Sequence, residues 1–188
     1  MSSPRATLDS PISADQARPA GPAPAASAHA YDVGLLVLRV VLGLTIAAHG
    51  AQKLFGWFGG GGLEGTGKAF AGMGYPAGKA MATVAGLTET FGGLGLVIGL
   101  LTPLAGAAVL GTMINAVSVT ASGGWFAPEG VEFAVLIAAG AAALALTGPG
   151  RYAVDRILPV LRSHRLVYGA AALVLSAVLA AGTLLIRN

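Results

Sequence analysis

The chain has 188 residues, 55% of them hydrophobic and only 10% charged, with a formal net charge of +3. Ordinary globular domains carry about a quarter charged residues, so this chain cannot dress a water-facing surface, whereas lipid solvates an apolar exterior. The absence of cysteine excludes a protein disulfide, a thiolate metal site, an iron–sulfur cluster and a covalently attached c-type haem, and the small, dispersed charge argues against nucleic acid.

Residues 1–32 are rich in Ala, Pro and Ser and lack an apolar run, so they read as a disordered tail with too little to bury against the entropy of ordering. Ala26 to Ala30 imitates a signal-peptidase site but precedes the first apolar segment, which is therefore expected to act as an uncleaved anchor. Apolar runs place spans near 33–53, 80–101, 104–121, 132–148 and 166–186. The second and third are expected to be antiparallel neighbours joined by a tight turn at Thr102-Pro103, and Gly148-Pro149-Gly150 ends the fourth. Between the first two spans, residues 54–79 carry four consecutive glycines at 59–62, then Leu63, Phe70, Met73 and Tyr75 among Glu64, Lys68 and Lys79. An interfacial or re-entrant segment and a flexible exposed loop both fit that stretch. The expected architecture is an all-α integral membrane protein, a membrane domain over 33–155 followed by a basic loop and a further helix over 156–188.

The arginines at 5, 18, 151, 156, 162 and 165 share one side of this topology, against Lys53, Lys68, Lys79 and Arg187 on the other. The positive-inside rule then puts the N terminus in the cytoplasm, and Trp57 and Trp125 become interfacial anchors on the outer side.

Ionisable side chains within a span are costly, so each needs a partner or a purpose. Arg39, His49 and Lys53 of the first span fall in one arc of about 80° at ~100° per residue. Gly43, Ile46 and Gly50 share that stripe, which should face the bundle. Glu89 is the one charge of the second span and lies near the midplane; Asn115 marks the third span and Glu132 opens the fourth, both nearer the outer face with His49. Glu89 can pair with Arg39 from one side or with His49 from the other. The structural reading makes these side chains polar glue that fixes helix register, with Arg39 as an ion-pair member. The functional reading makes His49, Lys53, Glu89, Asn115 and Glu132 the lining of a cavity open to the outer face, where a histidine can move protons or hold a quinone carbonyl. No metal-ligating spacing is present. Gly72 to Ala77 fits G-x-G-x-x-A without a preceding strand and with Pro76 inside it, so it carries no dinucleotide site. Gly95 and Gly99 have the G-x-x-x-G spacing, for which close packing within the bundle is the first reading and a homo-oligomer the second.

These pieces resemble the DoxX family of small bacterial membrane proteins from about Gly34 to Asp155. The resemblance is carried by His49-Gly50-Ala51-Gln52-Lys53-Leu54-Phe55-Gly56-Trp57-Phe58, by Gly65-Thr66, by Ala85-Gly86-Leu87-Thr88-Glu89 with Gly92-Gly93, and by Leu100-Leu101-Thr102-Pro103-Leu104. Gly124-Trp125-Phe126, Glu132-Phe133 and Gly148-Pro149-Gly150-Arg151 complete it. It implies a four-helix bundle in the bacterial inner membrane, with 166–186 as an added fifth span. The family takes its name from a subunit of a thiosulfate:quinone oxidoreductase, and some relatives are associated with a superoxide dismutase and a sulfurtransferase. What this implies here is a membrane subunit of a redox or thiol-stress assembly, without a covalently bound cofactor and with quinone as its ligand. If the chain is an enzyme, it is then part of a quinone-linked oxidoreductase. Many relatives carry a histidine where this chain has Thr120, which counts against a mechanism needing two membrane histidines. The rival readings are a transporter of a small molecule or lipid, with 59–62 as a gate, and a scaffold that recruits soluble enzymes through the 149–165 loop.

Overall fold

The computed structural model describes residues 27–187 except Ala127, Glu129 and Val160, and the described residues are helical throughout their regular structure. Six helices follow in order: α1 (Ala28–Phe55), α2 (Gly62–Gly72), α3 (Gly78–Ile98), α4 (Thr102–Thr120), α5 (Glu132–Thr147) and α6 (Leu166–Leu185). Among the described residues, α1, α3, α6 and α4 with the short turn that follows it are long and apolar enough to cross a membrane. α5 is shorter at 16 residues and just as apolar. The five long helices run alternately between two ends of the bundle. Large apolar side chains such as Val41, Phe91, Leu136 and Val174 stand outward, which water would penalise and hydrocarbon accepts. The chain is an all-α, multi-pass membrane protein.

Packing rests on small residues. A Cβ on Gly43 would lie 2.6 Å from the Gly93 carbonyl oxygen, and one on Gly93 would lie 2.5 Å from that of Gly43, so α1 and α3 touch backbone to backbone. Lipid chains are as apolar as leucine, so such close contact supplies much of the attraction between helices. α4 occupies the middle, against α3, α5 and α6. Leu42, Ile46, Leu96, Val109, Met113, Ile137 and Leu144 form the buried core around it.

Three boundaries differ from the sequence reading. The first helix starts at Ala28 rather than 33. Its opening turns are held from outside, because the Arg151 N–H donates to Asp32 Oδ1 at 2.9 Å and the Tyr152 hydroxyl meets His29 Nδ1 at 2.9 Å. Residues 1–26 of the expected tail lie outside the described residues. Within 54–79, α2 folds back on α3 and the end of α1 instead of forming an irregular loop. The turn between α3 and α4 lies at 99–101, with Gly99 and Leu101 left-handed, and Thr102-Pro103 already belongs to the first turn of α4. Proline suits that position, where its missing N–H has no intrahelical partner to lose.

α6 is built into the bundle. Ser176 Oγ donates to the Ala107 carbonyl oxygen at 2.5 Å, which ties α6 to α4 in mid-span. Gly95 and Gly99 both face inward, Gly95 against Ala105 and Gly99 beneath Arg39, so their spacing serves packing within one chain.

Candidate functional site

One end of the bundle gathers Phe55, Trp57, Phe58, Trp125 and Phe126, all more than half exposed; this is the aromatic end. Trp57 stacks beside Phe55 at 5.1 Å between ring centres. The other end holds the 99–101 turn and the loop from 148 to 165 and is called the loop end.

Near the aromatic end, Lys53 Nζ lies 2.6 Å from Glu89 Oε2. The Glu89 side chain is 5% exposed and that of Lys53 23%, so the pair is sealed on the carboxylate side and open on the ammonium side. Register explains the choice of partner. Gly50 of α1 packs against Gly86 and Thr90 of α3, while Arg39 packs against Gly99. Arg39 is thus about 15 Å along α3 from Glu89 at ~1.5 Å per residue, out of reach. Helical side chains lean toward their own N terminus, which carries Lys53 inward from the last turn of α1 to the level of Glu89. Neither partner expected for Glu89, Arg39 or His49, is the one it has.

His49 turns to α5 instead. Its ring stacks on Phe133 with centres 5.2 Å apart and planes 25° apart. His49 Nδ1 lies 2.9 Å from the Thr45 carbonyl oxygen. A carbonyl only accepts, so Nδ1 carries a proton and donates it to Thr45. Asn115 makes a third, separate group: its Oδ1 accepts from the Tyr75 hydroxyl at 2.9 Å, and its amide donates to the Gly111 carbonyl oxygen at 3.0 Å. Thr183 of α6 has one hydroxyl proton between Asn115 Oδ1 at 2.9 Å and the Ala180 carbonyl oxygen at 2.7 Å. Asn115 therefore joins α4, α6 and the turn before α3. Glu132 sits at the first position of α5, its N–H donating to the Trp125 carbonyl oxygen at 2.9 Å. Among the described residues no hydrogen bond joins His49 or Asn115 to the Lys53–Glu89 pair.

A crevice of about 390 Å³ opens beside this pair, between the last turn of α1 and α2, with Gln52, Lys53, Gly61, Thr66, Phe70 and Met73 around it. The glycine run is pressed onto α1: a Cβ on Gly60 would lie 2.5 Å from the Gln52 carbonyl oxygen. The run seats α2 against α1, and Lys53 is the cation that lines the crevice. Among the described residues no group of three or more His, Asp or Glu side chains is placed to hold a metal ion.

Arg39 is fully buried at the loop end. Its Nη2 donates to the Tyr152 carbonyl oxygen at 2.5 Å, and Nε and Nη1 have no hydrogen-bond partner. Gly99 lies beneath the guanidinium, where a Cβ would come within 1.7 Å of Nη1. The carboxylate whose field acts on Arg39 is Asp155, itself 2% exposed. Asp155 Oδ1 accepts from the Leu101 N–H at 2.7 Å and Oδ2 from the Thr102 N–H at 3.0 Å, so it caps the start of α4. The Asp155 N–H donates in turn to the Gly99 carbonyl oxygen at 2.9 Å. The sequence reading missed Asp155, Tyr75 and Thr183. For Asp155 a signal was available, as it is the one carboxylate in a loop of arginines; for the two hydroxyls none was.

Residues 34–123 match the DoxX family model, a shorter stretch than the resemblance to Asp155 suggested. The match takes in Arg39, His49, Lys53, Glu89 and Asn115 and ends before Glu132 and Asp155. No curated protein and no solved structure matches the chain. Through residues 34–123, which supply the α1–α3 seam and both members of its buried ion pair, this multi-pass membrane protein belongs to the DoxX family.

Proposed function

We propose that this bundle is a quinone-associated membrane subunit of a redox or thiol-stress assembly, and that the crevice beside Lys53 receives the quinone headgroup. The observation behind this reading is the one-sided exposure of the Lys53–Glu89 pair. Glu89 is sealed in the seam and keeps the ammonium in place, while Lys53 lines an opening of about 390 Å³, within the ~300–1,000 Å³ range of small-ligand sites. Lys53 Nζ has three donors and spends one on Glu89, so it can donate to a carbonyl oxygen entering the crevice. Phe70 and Met73 offer apolar wall for a ring. A bound quinone would supply reversible two-electron chemistry, and a superoxide dismutase or a sulfurtransferase, which the resemblance implies as soluble partners, would complete the assembly.

The resemblance supports a bacterial inner-membrane location, and the arrangement of arginines supports an orientation with the loop end in the cytoplasm and the crevice on the outer side. Titrating a short-chain menaquinone into the purified protein tests the reading. Saturable binding is expected in the wild type, weakened about tenfold in Lys53→Met for the loss of one charge-assisted hydrogen bond. Wild-type protein that shows no saturable binding would overturn it.

A further inference from the structure

We propose that the loop from Arg151 to Arg165 is a binding platform for anionic phospholipid headgroups. The loop carries Arg151, Arg156, Arg162 and Arg165, all exposed, and among the described residues none of the four has a carboxylate partner. The two acidic side chains described at this end are already engaged. Asp32 accepts from the Arg151 N–H, and Asp155 caps α4. Arg39 and the four exposed arginines outnumber these two carboxylates, so the loop end keeps a net positive charge.

The arginines are held on a fixed surface. Arg39 grips the Tyr152 carbonyl, Asp155 grips the start of α4, and His164 Nε2 donates to the Leu146 carbonyl oxygen at the end of α5 at 2.8 Å. Arg156 reaches across the loop to the carbonyls of Gly150 at 3.4 Å and Arg162 at 3.3 Å. Placing a guanidinium in the apolar core, as Arg39 is placed, is costly, and what it secures here is the shape of this loop.

Apolar side chains choose between lipid and an acidic soluble protein as the occupant. Ile157 is 78% exposed and sits between Arg156 and Leu158, with Leu166 and Val167 outward where α6 begins. Guanidinium groups interleaved with outward aliphatic side chains at the end of spanning helices match the headgroup boundary, where phosphates meet acyl chains. Every cation of the loop is arginine, whose planar fork takes two phosphate oxygens at once. At the opposite end Lys53, Lys68 and Lys79 lie within helices, and Arg187, which follows α6, stands over the Tyr75 ring at 6.0 Å.

The full chain, purified in a neutral detergent, is titrated with short-chain phosphatidylglycerol, phosphatidylcholine, glycerol phosphate and a polyglutamate peptide, with occupancy read by native mass spectrometry and by thermal midpoint. Phosphatidylglycerol is expected to bind and raise the midpoint, and the other three are not. The combined variant Arg151→Gln, Arg156→Gln, Arg162→Gln and Arg165→Gln should lose that preference, by about fivefold for each arginine removed, while its helical content and midpoint in phosphatidylcholine stay at wild-type values. The same four positions changed to Lys should retain part of it, and Lys68→Gln at the far end should retain all of it. Equal binding of both lipids by the wild type, equal binding of glycerol phosphate or polyglutamate, or an undiminished preference in the Gln variant would each overturn the proposal.

Discussion

Among the described residues, Lys53 and Lys79 at the aromatic end each have a carboxylate in contact, Glu89 and Glu64, whereas at the loop end four exposed arginines have none and the one fully buried cation, Arg39, faces a carboxylate that is itself spent on capping a helix. The two ends therefore use charge differently. One holds Lys53 and Lys79 in local pairs and leaves a crevice beside the first of them; the other buries a cation to brace a loop and leaves the loop's own charge facing outward. A buried charge and an exposed charge cooperate in the second case, because the first sets where the second stands.

The severest way to break this contrast is Asp155→Ala. It strips α4 of its cap and leaves Arg39 buried without a counter-charge, for an expected loss of about 3–5 kcal/mol, read from thermal unfolding in detergent. Pairing it with Arg39→Met should recover much of that loss, since the uncompensated charge goes too; a purely additive double variant would sink the coupling. Next comes the seam that positions Lys53 and Glu89. Gly43→Ala forces a methyl against the Gly93 carbonyl and should cost about 1–3 kcal/mol, with the crevice site weakened alongside. Glu89→Gln should cost less than Asp155→Ala, because Lys53 is part-exposed and can swing toward water while Arg39 cannot; equal losses would erase the distinction between the two ends. Thr183→Val should cost about 1 kcal/mol by removing one of the bonds around Asn115.

The smallest effect belongs to Glu64. Lys79, hydrogen-bonded to it and opposite in charge, holds its carboxyl below the ordinary carboxylate range. A depressed acid contributes stability above its ordinary pKa and loses it as pH falls through the lowered one. Both side chains are well exposed, so Glu64→Gln should lower the midpoint at neutral pH only slightly and leave it at the wild-type value in acid, where the wild-type carboxyl is protonated as well.

The spans, their order and the inward stripe of α1 were legible because apolar length and helical periodicity are local properties. Trp57 and Trp125 also stand outward at one end, as interfacial side chains would. The pairing of charges was not legible, because a partner across a seam depends on register, and register follows from contacts such as Gly43 on Gly93 rather than from either helix alone. Four of the five side chains expected around one cavity, Lys53, Glu89, His49 and Asn115, fall into three separate groups for the same reason. Lys53 and Glu89 meet, His49 lies on Phe133, and Asn115 turns to Tyr75 and α6. α2 was hidden by its glycines, which weaken helix propensity yet are what lets the preceding turn sit on α1.

The bonds from α6 into α4 bear on the order of synthesis. α4 leaves the ribosome well before Ser176 and Thr183 exist, so until α6 arrives the Thr183 contact of Asn115 is missing and the Ala107 carbonyl lacks the hydroxyl that later meets it. In a half-made chain of α1 to α5 both acceptors are still satisfied, the Ala107 carbonyl within its own helix and Asn115 Oδ1 by the Tyr75 hydroxyl, and the hydroxyls that bridge to them arrive with α6 itself. Arrival of α6 then covers the face of α4 that carries Gly111 and Asn115, and adds the Ser176 and Thr183 contacts to a group that is already hydrogen-bonded without them.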